Sequence, residues 1–231
     1  MTTPDPAAVP ASAWRAPLDD DSGGALLTPA QAGIHLGTDR DGRPVSLPLP
    51  GPAGRRVGVL GEPLFGRVLA LRLLAVGAQV TADTREPDGW QEIRRAVGDR
   101  LSFAGDLTAW PPYRPTPPAA GPGPQVLVSD RRSPPPAHPA PSDWCTVIHI
   151  AHDEPPPAGF WRALHALLAL GPRHADAVGN LLGPEAARDT AGLALSEIIL
   201  FRPAGAEFLH VDISPVEKEF LTPQQRPGHD R

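Results

Sequence analysis

Residues 56–85 read RVGVLGEPLFGRVLALRLLAVGAQVTADTR, and this stretch decides the fold. Residues 56–60 form a short apolar run followed by glycine, which is typical of a buried parallel strand that enters a tight turn. Residues 66–76 are good helix formers, apolar on nearly all sides, and Gly77 supplies a helix stop. Residues 78–82 predict the next strand. The stretch therefore predicts the β-α-β unit of an α/β domain.

The flanking sequence extends this pattern in both directions. Upstream, apolar and polar residues alternate around Asp41-Gly42, a strong turn signal that predicts a β-hairpin at 33–49. Downstream we predict a helix at 90–97, strands at 100–103, 125–129 and 145–150, a helix at 160–165, a strand at 166–170, a helix at 184–195 and a hairpin of strands 198–201 and 207–211. Together these elements predict a three-layer α/β sandwich with a mainly parallel sheet, preceded by a β-hairpin and closed by a C-terminal β-hairpin.

The length of 231 residues suits one domain with tails, while 32 prolines and 23 glycines require long loops. We predict a disordered Pro/Ala-rich arm at 1–30, a single α/β domain at 31–215 and a polar tail at 216–231. Proline-rich loops are expected at 110–124 and 133–142. The first of these loops excludes the usual crossover helix before the strand at 125–129.

Charge and hydropathy exclude several classes of function. The net charge of −5, without a basic stripe, argues against nucleic-acid binding. The longest apolar run, 68–76, is interrupted by Arg72 and is shorter than the roughly 20 residues of a membrane span. Residues 1–14 lack the features of a signal peptide, and Cys145 is the only cysteine, which fits a reducing compartment. We therefore expect a cytoplasmic protein whose partner is another protein.

The loop at 61–66 has two interpretations as a phosphate-binding loop. As a dinucleotide fingerprint G-x-G-x-x-G, it keeps Gly61 and Gly66 but has Pro63 in place of the middle glycine. The acid expected about 20 residues further on falls in the triplet formed by Asp83, Thr84 and Arg85. An arginine suits a 2′-phosphate, so this interpretation favours NADP over NAD.

As a Walker A loop, G-x-x-x-x-G-K-[ST], the same segment again keeps Gly61 and Gly66. Arg67 replaces the lysine, and Val68 replaces the hydroxyl residue that holds magnesium. Asp130, directly after the strand at 125–129, stands where a Walker B acid would. Because valine cannot hold magnesium, we do not expect this site to hydrolyse ATP by itself.

The hairpin followed by a strand and G-x-x-x-x-G resembles the entry to the motor domains of FtsK/SpoIIIE-type ATPases, including the EccC ATPase of actinobacterial type VII secretion. The resemblance covers residues 34–85. It implies a P-loop domain, ATP as the ligand of the family, and association with a secretion ATPase. Arg67 and Val68 depart from the family pattern, which implies a degenerate module.

Three functional hypotheses follow. The first is a non-catalytic nucleotide-binding-fold protein that acts as a binding or scaffold accessory and needs no cofactor, its G-x-x-x-x-G being only a tight βα turn. The second is an NADP-binding, oxidoreductase-like protein, and the third is an ATPase completed by a partner's lysine. No catalytic residue is predicted, and the candidate cofactor-binding residues are Gly61, Gly66, Arg67, Asp83, Thr84, Arg85 and Asp130.

A metal site is not expected. Cys145, His149 and His152 lie close together in the sequence, but their spacing matches no zinc motif. Arg131 and Arg132 follow a strand at the edge where α/β sheets bind ligands, so they are either anion ligands or solvated loop charges.

Overall fold

The structure is a computed structural model that describes residues 33–118, 120–135, 143–156 and 158–222. The arm predicted at 1–30 lies outside the described residues, as do 136–142 of the second proline-rich loop and 223–231 of the predicted tail.

The strands form one sheet with the order β2-β1-β10-β9-β8-β3-β7-β6-β4-β5. Their bounds are β1 Ile34–Asp39, β2 Pro44–Leu47, β3 Arg55–Leu60, β4 Gln79–Asp83, β5 Leu101–Phe103, β6 Gln125–Ser129, β7 Cys145–Ala151, β8 Ala166–Ala169, β9 Glu197–Arg202 and β10 Gly205–Val211. Strands β8, β3, β7, β6, β4 and β5 are parallel, so their carboxyl ends share one edge of the sheet. The other four strands continue the sheet in antiparallel pairs. The prediction of a mainly parallel sheet, preceded by one hairpin and followed by another in the sequence, is confirmed, and both hairpins lie on the same side of the sheet.

Helices cover both faces of the sheet. They are α1 Pro63–Ala75, α2 Gln91–Val97, α3 Gly159–Arg162, α4 Ala175–Leu182, α5 Pro184–Ala191 and α6 Pro215–Leu221. One core cluster contains buried side chains of α1 and α2, with Phe220 of α6 packed against it. A second cluster contains buried side chains of α3, α4 and α5. Because alternate residues of the central strands enter alternate clusters, the predicted three-layer sandwich is confirmed.

Helix α1 begins three residues earlier than the sequence pattern predicts, at Pro63 and not at Gly66. Proline has a fixed φ and no N–H, which suits the first turn of a helix, where an N–H has no intrahelical partner. Gly66 therefore lies inside the helix, and the expected loop at 61–66 is reduced to Gly61 and Glu62 between β3 and α1.

The segment predicted as a polar tail after residue 215 begins with helix α6. Ser214 accepts a hydrogen bond from the Glu217 backbone, and the Glu217 carboxylate accepts one from the Ser214 backbone, which forms a capping box. The Glu217 carboxylate also pairs with Arg72 of α1 at 2.6 Å between Oε1 and Nε. These contacts fix α6 on α1, so residues 216–221 of the predicted tail form a packed helix.

Helix α4 was not predicted, and the helix predicted at 184–195 ends at Ala191. Between β5 and β6, by contrast, the described residues contain only a 3₁₀ turn at Leu107–Ala109, in agreement with the prediction of extended chain there. No helix among the described residues is long and apolar enough to cross a membrane.

The order of the parallel strands differs from that of a Rossmann domain. In the Rossmann order 3-2-1-4-5-6 the first strand of the unit lies beside the second. Here β3 lies between β7 and β8, and two strands separate it from β4. The sequence-based resemblance to dinucleotide-binding domains therefore does not extend to the topology.

Strand β7 is the partner of β3 on the side that faces β6, and six of its seven residues are buried. It begins with the buried Cys145. From β3 the chain crosses over to β4 on one side, and from β7 it crosses to β8 on the other side. Such a reversal between neighbouring strands is the place where open α/β sheets bind ligands, beyond the carboxyl ends of the strands.

Candidate functional site

The candidate site is the carboxyl edge of the parallel strands, where the segments after β3, β4, β6 and β7 meet. A cavity of about 670 Å³ lies at this edge. Its lining includes Pro63, Arg85, Asp130, Arg132 and His152. The structure thus brings together segments that lie far apart in the sequence.

Both glycines of the expected phosphate loop pack against protein side chains. A Cβ on Gly61 would lie 2.6 Å from Cδ2 of Leu170, the residue directly after β8. A Cβ on Gly66 would lie 2.8 Å from Cδ1 of Ile150 on β7. Both distances are shorter than van der Waals contact, so at both positions close packing requires a residue without a side chain. These glycines therefore have a packing role that is independent of phosphate.

Glu62 places a carboxylate at the start of α1. Its Oε1 accepts a hydrogen bond from Nη2 of Arg173 at 2.6 Å, and its Oε2 lies 3.1 Å from Nδ1 of His152. The hydrogen bond from Arg173 holds the pKa of the Glu62 carboxyl below its usual value, and the charge of His152 acts in the same direction. A helix N-terminus attracts anions. At this helix the residue in the N-cap position carries a negative charge, although its side chain makes no capping hydrogen bond.

Glu62, His152 and Arg173 were not among the candidate residues predicted from the sequence. The available signal was positional, because Glu62 follows β3, His152 follows β7 and Arg173 lies four residues after β8, all at one sheet edge. Using that signal required knowledge that β7 and β8 flank β3.

Arg67, which stands at the position of the Walker lysine, points to the segment after β4. Its Nη1 donates a hydrogen bond to the Gly89 carbonyl oxygen at 2.7 Å. Burial lowers the pKa of the Arg67 guanidinium from its usual value, while Glu86 and Asp130 oppose the shift. Arg67 thus fixes the 3₁₀ turn at Pro87–Trp90 against α1.

The other four predicted residues meet at the ends of β4 and β6. Thr84 Oγ1 donates to Asp130 Oδ2 at 2.7 Å, and the Arg85 backbone N–H donates to Asp130 Oδ1 at 3.2 Å. Asp83 accepts hydrogen bonds from Arg131 Nε at 2.8 Å and from Ser129 Oγ at 3.1 Å. Both carboxylates are therefore used to join the ends of β4 and β6.

The Arg85 and Arg132 side chains are exposed and, within the described ranges, no carboxylate pairs with either. They share the edge cavity with Glu86, Asp130, Asp153 and Glu154, so its lining carries both signs of charge. This mixture gives no net positive field for a polyphosphate.

His149 lies on the central strand β7, two residues before its carboxyl end. Its ring is buried and packs edge to face against Phe160 and Trp161, with ring centroids 5.6 and 5.5 Å away. Burial lowers the pKa of His149 to about 4, although the Ser129 backbone opposes the shift. Neither ring nitrogen has a well-aligned hydrogen-bond partner among the described residues. His149 is neutral at pH 7 and is shielded from any ligand at the edge.

A metal site is not found among the described residues, where no group of three His, Cys, Asp or Glu side chains could hold an ion. Cys145 and His149 are buried in the sheet, whereas His152 is half exposed and pairs with Glu62.

No protein-family model and no curated protein matches the chain. Among solved structures it is similar to the genome packaging NTPase B204 from Sulfolobus turreted icosahedral virus 2 in complex with ATP-gammaS, with 12% identity and a TM-score of 0.46 over 71% of this chain and 99% of that one. It is also similar to the cytoplasmic domain of the Thermomonospora curvata Type VII Secretion ATPase EccC, with 14% identity and a TM-score of 0.45 over 87% of this chain and 32% of that one. A third match is Thermomonospora curvata EccC, ATPases 2 and 3, in complex with a signal sequence peptide, with 13% identity and a TM-score of 0.41 over 82% and 42% of the two chains.

These matches confirm the resemblance to EccC-type ATPases that the sequence suggests. At such identities and TM-scores the similarity carries no information on activity. The chain is an α/β protein with a large, mostly parallel sheet, and the solved structures named above are NTPases.

Proposed function

We propose that this chain is a non-catalytic domain of the ATPase-like α/β type that acts by binding another protein. The observation that carries the proposal is the Glu62 carboxylate at the start of α1, held there by Arg173 and His152. A phosphate at that place would meet a carboxylate of the same sign at short distance, which disfavours binding.

Three further features support the proposal. Gly61 and Gly66 pack closely against Leu170 and Ile150, which accounts for both glycines without a phosphate ligand. The Arg67 guanidinium is bound to the Gly89 carbonyl. Val68 is buried and has no oxygen for magnesium. The groups that phosphoryl transfer requires are therefore either absent from their positions or used for packing.

The test is isothermal titration calorimetry of the purified chain with Mg-ATP, ADP, NADPH and NADH. We expect no binding heat at ligand concentrations up to about 1 mM, which corresponds to an affinity weaker than about −4 kcal/mol. The variant Glu62→Gln serves as a matched control, since it removes the charge while Gly61 and Gly66 stay packed. Any binding heat that this variant gains over the wild-type chain measures how strongly the Glu62 carboxylate disfavours a phosphate.

Two results would contradict the proposal. Tight binding of Mg-ATP, or measurable hydrolysis, would show that the site at α1 accepts a polyphosphate. Selective NADPH binding that is lost in Arg85→Ala would support the oxidoreductase-like alternative, in which the exposed Arg85 holds the 2′-phosphate.

For the partner, we propose a cytoplasmic ATPase of the secretion type, following the resemblance of residues 34–85. Sedimentation of the chain with such an ATPase would test the association. Measuring ATP turnover of the mixture would separate a scaffold from an ATPase completed by the partner's lysine. A scaffold leaves turnover equal to that of the partner alone, whereas extra turnover that depends on this chain would favour completion.

A further inference from the structure

A second cavity lies at the other end of α1, remote from the sheet edge described above. Helix α1 has 13 residues and begins at the carboxyl edge, so its last turn lies about 20 Å away at 1.5 Å per residue. A groove with a volume of about 1050 Å³ is bounded there by the end of α1, by α6 and by the segment from Val97 to Arg100. We call it the α1–α6 groove.

The α1–α6 groove is apolar and open to solvent. Val216 of α6 is 61% exposed and Val76 at the end of α1 is 39% exposed, while Leu71, Val97 and Phe220 line the groove as partly buried side chains. Exposed apolar side chains that face a common groove are typical of protein interaction sites.

Charges at the α1–α6 groove leave a positive excess. Arg72 pairs with Glu217, and its guanidinium also donates to the carbonyl oxygens of His35, Leu36 and Asp212. The Asp212 carboxylate accepts hydrogen bonds from Thr38 and His35.

Arg100 and Lys218 are the other charged residues of the lining. Arg100 donates to the Leu74 carbonyl oxygen, and no carboxylate among the described residues pairs with Arg100 or Lys218. A partner that fits this surface therefore has an apolar face with acidic side chains beside it.

The walls of the groove favour a helical partner. The strand residues in its lining are Ile34 and His35 of β1 and Val211 of β10. Ile34 and His35 pair with β2, the carbonyl oxygens of His35 and Leu36 accept hydrogen bonds from Arg72, and β10 pairs with both β1 and β9. An added strand consequently has no backbone edge to pair with, whereas an amphipathic helix needs only an apolar groove for its i, i+3, i+4 and i+7 side chains.

We infer that the α1–α6 groove binds an amphipathic helix of a partner protein, with its apolar stripe on Val76 and Val216 and its acidic flanks on Arg100 and Lys218. This inference rests on the proposed role as a protein-binding domain, because it assigns the surface on which that role is exercised. The groove is separate from the Glu62 site, so each can be tested without the other.

The experiment uses a fluorescein-labelled synthetic peptide of about five helical turns, with leucines at the i, i+3, i+4 and i+7 positions and glutamates on both flanks. A matched peptide carries lysines in place of the glutamates. Fluorescence anisotropy measures binding of each peptide to the wild-type chain and to the variants Val216→Asp, Lys218→Glu and Leu195→Asp. Leu195 is 96% exposed and lies outside the groove, so its variant is the control for an added surface charge.

We expect the acidic peptide to bind the wild-type chain and Leu195→Asp equally. Val216→Asp should weaken binding at least about tenfold, because a carboxylate enters the apolar contact. Lys218→Glu should lower the affinity for the acidic peptide and raise the affinity for the basic peptide. Each change should be up to about fivefold, as expected for one exposed ion pair. Because Lys218 is exposed, this exchange of preference remains measurable if Val216→Asp fails to fold.

Equal affinity for the two peptides, or unchanged binding by Val216→Asp, would overturn the inference. Self-association of the wild-type chain that Val216→Asp abolishes would also overturn it, because the occupant would then be a second copy. Nucleotide titrations on the same preparations keep the two proposals distinct. Nucleotide binding would contradict the proposed function, whereas loss of peptide preference without nucleotide binding would contradict only the groove.

Discussion

The packing role of Gly61 can be tested without any ligand. An added Cβ would meet Cδ2, Cβ and Cγ of Leu170 at 2.6, 2.9 and 3.0 Å, and the Cβ of Leu170 cannot move without its backbone. We predict that Gly61→Ala lowers the free energy of unfolding by about 2 kcal/mol, as overpacking does in other cores.

Urea denaturation measures this change. Gly105→Ala is the control, because nothing lies within 4 Å of a Cβ at Gly105, and it should leave stability nearly unchanged. Unaltered stability of Gly61→Ala would show that β3 and β8 are less closely packed at this point than the structure has them.

The buried His149 makes stability depend on pH. Its folded-state pKa of about 4 lies below the ordinary value of 6.5, so the unfolded chain takes up the proton first as the pH falls. The contribution of the neutral His149 to the free energy of unfolding is therefore fully present above pH 6.5, and it is lost as the pH falls from 6.5 to 4. We predict that, between pH 6.5 and 4, the free energy of unfolding of the wild-type chain falls by about 3 kcal/mol more than that of His149→Leu.

Urea denaturation at several pH values, with both proteins in parallel, measures this difference. His165 and His174 titrate in both proteins, so their contributions cancel. Parallel pH curves would contradict the assignment of the dependence to His149.

At the scale of elements, α6 depends on the ion pair between Arg72 and Glu217. The two side chains are only 11% and 16% exposed, so removing the carboxylate leaves a nearly buried guanidinium without its countercharge. We predict that Glu217→Ala lowers the free energy of unfolding by about 3 kcal/mol. This value is at the low end for a broken buried pair, because carbonyl oxygens still accept hydrogen bonds from Arg72.

Glu219→Ala is the matched control for this variant, since Glu219 is an exposed acid of the same helix. It should change stability by less than about 0.5 kcal/mol. Thermal unfolding followed by circular dichroism compares the two variants, and equal stabilities would contradict a structural role for the pair.

The same elements show why local patterns predicted some features and missed others. The strands β3, β6 and β7 have mainly apolar, buried residues, and their predicted bounds agree with the structure to within one residue. The predicted start of α1 differs from the observed one because Pro63, which departs from a glycine motif, also favours the first helical position. Helix α4 was missed because Gly179 interrupts it, and the structure shows that a Cβ there would lie 3.1 Å from Ala187 of α5.

At the scale of the whole molecule, the strand order could not be predicted from the sequence. Each buried parallel strand reads as a similar apolar run, so nothing local indicates that β3 pairs with β7 and β8 and not with β4. The candidate residues Glu62, His152 and Arg173 depend on that order, because they meet only when β7 and β8 flank β3. Asp83, Thr84, Arg85 and Asp130 were predicted from motif spacing, and they share one edge because they lie at the carboxyl ends of the parallel strands β4 and β6.

The buried Cys145 thiol can be used to measure how often the central sheet opens. The thiol is 1% exposed, and Cys145 pairs with Gln125 of the neighbouring strand β6 at the amino end of β7. A soluble thiol reagent reaches this sulfur only after β7 separates from its neighbours, so the rate of modification follows the population of opened chains. Modification in native buffer should be slower than in urea by a factor on the order of 10³ or more. A reaction as fast as that of the unfolded chain would mean that this end of the sheet opens on its own.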